Sequence, residues 1–274
     1  MTAPPTTPPA KDSIHTHIWR EAPEPDNPFA TQAAYCHGYD VYGAMLGRAR
    51  WADMLYLLFR GEAPSPAQAH LLDALALALA NPGPRDPSVH AAMCGGVAGS
   101  TAAASLMAAL SVGAGRYGGA REVFDAMVVW QQAGCDRAAW LRLASHFESE
   151  HQDIWPQAEH PAGFDPHGVS TPATVLQTLD TLAALGPFEH LAWLASNRAH
   201  LEAALGLPLA LVGVAAAALV DLGFSPQQGE MLYLMLRLPG AAAHALEQSQ
   251  QGFKRFPFYP VEWSAGAAPQ GESA

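Results

Sequence analysis

The stretch EAALGLPLALVGVAAAALVD, residues 202–221, sets eighteen uncharged residues between Glu202 and Asp221. A run of that length can be scored as a membrane span. Its composition argues against one. Gly206, Pro208 and Gly213 interrupt the run, much of the rest is Ala, and no Lys or Arg anchors its ends. Two Ala-rich helical segments buried inside protein satisfy the same pattern, so no membrane partner is expected.

Outward from this stretch, apolar residues recur at the 3.6-residue helical period, and almost nothing alternates as a half-buried strand would. From Trp51 the positions Leu55, Leu58 and Phe59 form one stripe, and Gly61 stops the segment. Ser65 reads as an N-cap with Pro66 at the first helical position, and the helix runs through Ala80 to the breaker Asn81-Pro82-Gly83-Pro84. Pro87-Ser88 opens a segment without charge, apart from His90, as far as Arg116. Glu122–Gln132 is amphipathic, Arg137–Ser149 reads as a short helix, and a loop rich in Pro, Gly and His follows from Trp155 to Pro172. Helices resume near Val175, Pro187, Pro208 and Pro226. The expected class is all-α. Two helices, roughly Ser88–Ser111 and Leu209–Leu219, carry no charge on any face, and a helix apolar all round is buried on all sides. In a chain of this size that pattern predicts burial against a second copy, hence a homodimer.

Half of the 274 residues are hydrophobic and only 14% are charged, where about 25% is usual, so a large core is available. Lys plus Arg number 14 against 25 for Asp plus Glu, a net charge of −11 with no dense basic stretch, which excludes nucleic acid as a partner. Cys36, Cys94 and Cys135 form neither a Cys-x-x-Cys pair nor an even set, so no disulfide framework or thiolate zinc site is indicated. The Thr/Pro-rich start, Met1–Ala10, lacks the order of a secretion signal. A cytoplasmic protein is expected, with disordered tails over 1–25 and 263–274.

Gly113-x-Gly115 and Gly118-Gly119 have no Gly-Lys-Ser/Thr after them and no strand before, so they read as close packing and a sharp turn instead of a phosphate loop. His15-x-His17 reads as a solvated pair. The densest chemistry lies between residues 146 and 167, where His146, His151, His160 and His167 are interspersed with Glu148, Glu150, Asp153, Glu159 and Asp165. His146 and His151 are five apart and fall on different helical faces, so no metal is expected. Pro156, Pro161, Gly163 and Pro166 stiffen the loop around His160, and rigid loops commonly hold active residues.

Several segments, taken in order from about residue 37 to 260, resemble the citrate synthase family and its short citryl-CoA lyase branch. They are His37-Gly38-Tyr39-Asp40 with Tyr56 to Ser65, the turn Arg116-Tyr117-Gly118-Gly119-Ala120, the loop from His160 to Asp165-Pro166-His167, and Arg237-Leu238-Pro239-Gly240 with Ala243 to Gln248. The resemblance implies an all-α dimer with a large helical domain (26–121 and 206–262) and a smaller one (122–205). It implies chemistry on a coenzyme A thioester substrate and a small carboxylic acid, without a metal cofactor. In that chemistry a carboxylate takes a proton from the thioester methyl group, hydrogen-bond donors hold the developing oxygens, and arginines hold carboxylates.

Carried onto this chain, the resemblance makes His160 the group facing the oxo-acid oxygen and puts Tyr117 in the place of the enol-binding histidine. It makes Arg237 a carboxylate-binding residue, with Arg255 reaching in from a partner subunit and Arg116 and His167 as further substrate contacts. His167 stands where the family's Asp-Pro-Arg has its arginine. Pro156, Ala158 and Glu159 line the expected coenzyme A position. The family's catalytic aspartate falls on or beside Leu209, and Asn81-Pro82 occupies the place of a further histidine, so another acid, Asp165 or Asp221, must take the proton. The alternative is a non-catalytic pseudoenzyme that binds a CoA ligand or forms a heterodimer with an active paralogue.

Overall fold

The computed structural model describes residues 15–145, 160–257 and 259. Helices carry the core, as the periodicity predicts. In chain order these are α1 (Trp51–Arg60), α2 (Pro66–Leu79), α3 (Pro87–Val97), α4 (Ala102–Gly113), α5 (Ala120–Ala133), α6 (Arg137–Ser145), α7 (Ala173–Ala184), α8 (Glu189–Leu205), α9 (Leu211–Asp221) and α10 (Pro226–Gln251), with a 3₁₀ turn at Phe253–Arg255. A small antiparallel sheet precedes them: β1 (Trp19–Pro23), β2 (Thr31–Cys36) and β3 (Tyr39–Asp40), in the order β1-β2-β3. Strand β1 corrects the expected tail over 1–25 in its described part, from residue 15 onward. Its Trp19 pairs with Cys36 and its Ala22 with Ala33. Alternation is faint there because only Ala34 and Cys36 of the sheet are fully buried. His37 and Gly38, both at positive φ, close the two-residue turn from β2 to β3, as a primed hairpin turn requires. The expected tail over 263–274 lies outside the described residues.

The chain divides into two compact units, one of residues 1–79 and 114–236, the other of residues 80–113 and 237–274. A boundary expected at residue 122 therefore falls inside the first unit.

In the first unit the local signals act as read. Gly61 ends α1 in the left-handed region at φ 76°. Ser65 and Gln68 form a reciprocal cap, the Ser65 N–H donating to Gln68 Oε1 at 2.9 Å and the Gln68 N–H to Ser65 Oγ at 3.3 Å. The stripe of α1 is rotated from the expected one: Leu55, Tyr56 and Leu57 are buried, while Leu58 and Phe59 are half-buried. Tyr56 can sit in the core because its hydroxyl donates to Leu222 O (3.2 Å) and accepts from Gln68 Nε2 (2.9 Å). Helix α9 is buried on every face, with Val214 through Leu219 at 0% exposure. Helices α2, α5, α7 and α8 of the same chain cover it. Its apolar girth thus needs no second copy, which removes α9 as an argument for a dimer. Among the described residues no helix is long and apolar enough to cross a membrane.

In the second unit the expected single helix over Ser88–Ser111 is two. Gly99, at φ 73°, ends α3, and Thr101 Oγ1 accepts from the Ala104 N–H at 3.3 Å to start α4. Charge-free sequence hid this αL glycine and hydroxyl cap, which together make a helix stop and start. The two helices pack closely, since a Cβ at Gly95 would sit 2.7 Å from Ser105 Oγ. Their core with α10 is thin: Val89, Ala92, Ala109, Ala241 and Ala245, flanked by Met93 and Leu238. Met107 and Val112 of α4 stay exposed.

Candidate functional site

Helix α5 starts at the Gly118-Gly119 turn, where Gly118 takes φ 67°, so the preceding Tyr117 stands at the mouth of the helix. The buried stripe of α5 is Ala120, Val123, Ala126, Met127 and Trp130, and Glu122 lies on it, 3% exposed. A buried carboxylate needs hydrogen-bond donors. Glu122 has them from two loops: its Oε2 accepts from the Gly118 N–H at 2.6 Å, and its Oε1 from the Gly163 N–H at 2.9 Å. His160 Nε2 is 3.4 Å from the same Oε1. The imidazole is 5% exposed, and Tyr117 stacks on it with ring centroids 5.6 Å apart and planes inclined by 25°. Tyr117 itself is 51% exposed. Tyr233 Oη donates to Gly118 O at 3.2 Å and fixes the turn from below.

The His160 loop is held against the entry to α9. Ala210 N–H donates to Gly163 O at 2.9 Å, Asp165 N–H donates to Pro208 O at 2.9 Å, and Phe164 and Leu209 form a one-residue bridge. Gly163 is at φ 94°, and a Cβ there would lie 2.9 Å from Gly213 Cα. Leu209 points into the core at 1% exposure. Asp165 is half-buried, its Oδ1 accepting from the His167 N–H at 2.8 Å, while the side chain of His167 is exposed. Next to the turn, Arg121 Nε lies 3.4 Å from Asp125 Oδ1. Burial pushes the Asp125 carboxyl above its ordinary range, the charges of Arg121 and Arg116 pull it back, and Glu122 raises it further. Arg116 is half-buried.

Structure therefore brings His160 and Tyr117 together and adds Glu122, whose sequence surroundings show only an amphipathic helix. The available signal was a charged residue among apolar ones at i, i+1, i+4 and i+5 on the stripe. Asp165 lies one backbone hydrogen bond from the Pro208-Leu209 segment. Asp221 does not belong to the site. Its two oxygens accept from the N–H groups of His190 (3.0 Å) and Leu191 (2.9 Å) at the start of α8, and Oδ1 also meets His190 Nδ1 at 2.8 Å. That His190 ring stands edge-on to Trp130 with centroids 5.1 Å apart. Committed to capping α8, Asp221 cannot serve as the replacement acid.

Arg237 is in the second unit, 6% exposed and ion-paired with Asp86. Asp86 also caps α3, its Oδ1 accepting from the Ser88 N–H at 2.9 Å. Arg255 lies exposed in the 3₁₀ turn of the same unit. Pro156, Ala158 and Glu159, expected at coenzyme A, and His146 and His151 lie outside the described residues. Among the described residues no group of three or more His, Cys, Asp or Glu is placed to hold a metal ion.

No protein-family model and no curated protein matches the chain. Solved structures do. Citryl-CoA lyase from Hydrogenobacter thermophilus superposes with a TM-score of 0.71 at 19% identity, over 95% of this chain and 97% of that one. The chain has the fold of citryl-CoA lyase. ATP citrate lyase from Methanothrix soehngenii in complex with citrate and coenzyme A, and a variant from Methanosaeta concilii in complex with (3S)-citryl-CoA, each give 0.70 at 16% identity over 97% of this chain. The chain spans 43% of the length of those two.

Proposed function

We propose that the protein acts on a coenzyme A thioester of a carboxylated hydroxy-acid, with citryl-CoA as the leading candidate, breaking or making the carbon–carbon bond beside the thioester. The observation that carries this reading is the buried His160, stacked on Tyr117 and backed by a carboxylate, in a fold shared along almost the whole chain with a citryl-CoA lyase. In the cleavage direction His160 takes the proton of the substrate hydroxyl. The carbon–carbon bond breaks as the hydroxyl carbon becomes a ketone, and the bonding pair passes to the thioester as its enolate. Tyr117, a hydrogen-bond donor, steadies the enolate oxygen, and protonation at carbon gives acetyl-CoA. Asp165 is the proposed acid for that last step, because its backbone bond to Pro208 sets it beside Leu209, where the family's aspartate was expected. An open groove of about 570 Å³, lined by Thr171, Arg198, Glu202 and Pro208 among others, offers room in the same unit for a long thioester arm. Arg237, Arg255, Arg116 and His167 are proposed to contact substrate carboxylates. Arg237 would do so while sharing its guanidinium with Asp86.

Purified protein incubated with (3S)-citryl-CoA is expected to release acetyl-CoA and oxaloacetate, and His160→Gln to lower kcat by about 10²-fold or more. Absence of turnover with citryl-CoA, and with acetyl-CoA plus oxaloacetate, would overturn the reading in favour of a CoA-binding pseudoenzyme.

A further inference from the structure

We infer that Glu122 is a positioning residue for His160, setting its tautomer as well as its place. This rests on the reading of His160 as the group that meets the substrate hydroxyl. Glu122 cannot be the base that works on the thioester methyl group. Both of its oxygens are already engaged: Oε2 accepts from the Gly118 N–H, and Oε1 accepts from the Gly163 N–H and faces His160 Nε2. What it does is join three pieces of chain. Gly118 belongs to the turn that carries Tyr117, and Gly163 belongs to the loop that carries His160, so one carboxylate sets the separation of the two rings.

An ionised carboxylate has only acceptors, so the ring nitrogen facing it must carry the hydrogen. Neutral His160 is then protonated at Nε2, and its lone pair lies on Nδ1. Among the described residues Nδ1 is buried and has no hydrogen-bond partner. A buried imidazole nitrogen without a protein partner, on a ring oriented from the other side, is arranged to accept a proton from a bound molecule. In the cleavage step that proton is the one on the hydroxyl oxygen. It moves to Nδ1, while Nε2–H stays on Glu122 and no proton moves to the carboxylate.

Glu122→Gln preserves the shape but offers one acceptor oxygen where the carboxylate offers two, and it presents an NH₂ group to donors. Two measurements test the inference. With ¹⁵N-labelled histidine, the long-range ¹H–¹⁵N spectrum of the wild-type protein, with His160→Gln used to assign the signal, is expected to show neutral His160 protonated at Nε2. In Glu122→Gln that signature is expected to change, with kcat for (3S)-citryl-CoA falling by about 10²-fold while KM stays within about threefold. A wild-type His160 protonated at Nδ1 would overturn the inference even if the variant failed to fold. So would a folded Glu122→Gln protein with unchanged tautomer and kcat. Wild-type protein that shows the Nε2–H tautomer but turns over neither substrate set would instead retire the proposed function and leave the role of Glu122 in place.

Discussion

Leu209 stands where the resemblance to citrate synthases leads one to expect a catalytic aspartate. A leucine side chain cannot accept a proton, and here it is also unreachable. It is 1% exposed, and its N–H is shared between Thr171 Oγ1 (2.9 Å) and Glu202 Oε1 (3.2 Å). Glu202 is itself bound by Thr171 Oγ1 and by Arg198 at 2.6 Å, so the local charges are already matched. Leu209→Asp would put a carboxylate among apolar atoms with another carboxylate close by. We expect a loss of about 4 kcal/mol or more in urea unfolding and no gain in turnover. A variant of unchanged stability and higher turnover would show that this side chain can swing into the site. The division of labour is then local: Leu209 packs, and Asp165, whose N–H donates to the neighbouring Pro208 O, is the carboxylate proposed to do chemistry.

Helix α9 decides how firmly the His160 loop is held. Its first turn meets the loop through glycine on both sides. A Cβ at Gly213 would lie 2.6 Å from Gly163 O and 2.9 Å from Leu209 Cδ1. Gly213→Ala improves helix propensity by about 1 kcal/mol yet forces the loop outward, an overpacking cost of about 1–3 kcal/mol. Displacing Gly163 moves the N–H that Glu122 accepts, and His160 moves with it. The expected result is a melting temperature within a few degrees of wild type together with a fall in kcat of tenfold or more. Equal activity would mean that the loop is positioned without α9. Gly163 is the other half of the contact, and its φ of 94° is a conformation that side-chain-bearing residues rarely adopt.

For the molecule as a whole, we propose that the homodimer expected from the sequence forms through the second unit, whose core is thin and whose α4 leaves Met107 and Val112 exposed, since α9 is covered within its own chain. Sedimentation equilibrium is expected to give twice the chain mass at micromolar concentration, and a monomer at every concentration would remove Arg255 as a partner-supplied contact. The helical class could be read from the sequence because its causes are local: 3.6-residue periodicity, the Gly61 stop, the Ser65-Pro66 start and the uncharged run before Asp221. The order of motifs along the chain named His160 and Tyr117, which the fold brings together, and Arg237, which it pairs with Asp86 in the second unit. What the sequence did not reveal was anything that depends on which residues meet. The sheet pairs residues that show little alternation, and the Ser88–Ser111 run breaks at a glycine that lack of charge concealed. Asp221 caps α8 across 31 residues, and Glu122 meets His160 across 38. Local propensity and periodicity settle each segment's own shape. A buried carboxylate takes whichever donors the folded core brings to it, so only tertiary packing could join Glu122 to His160.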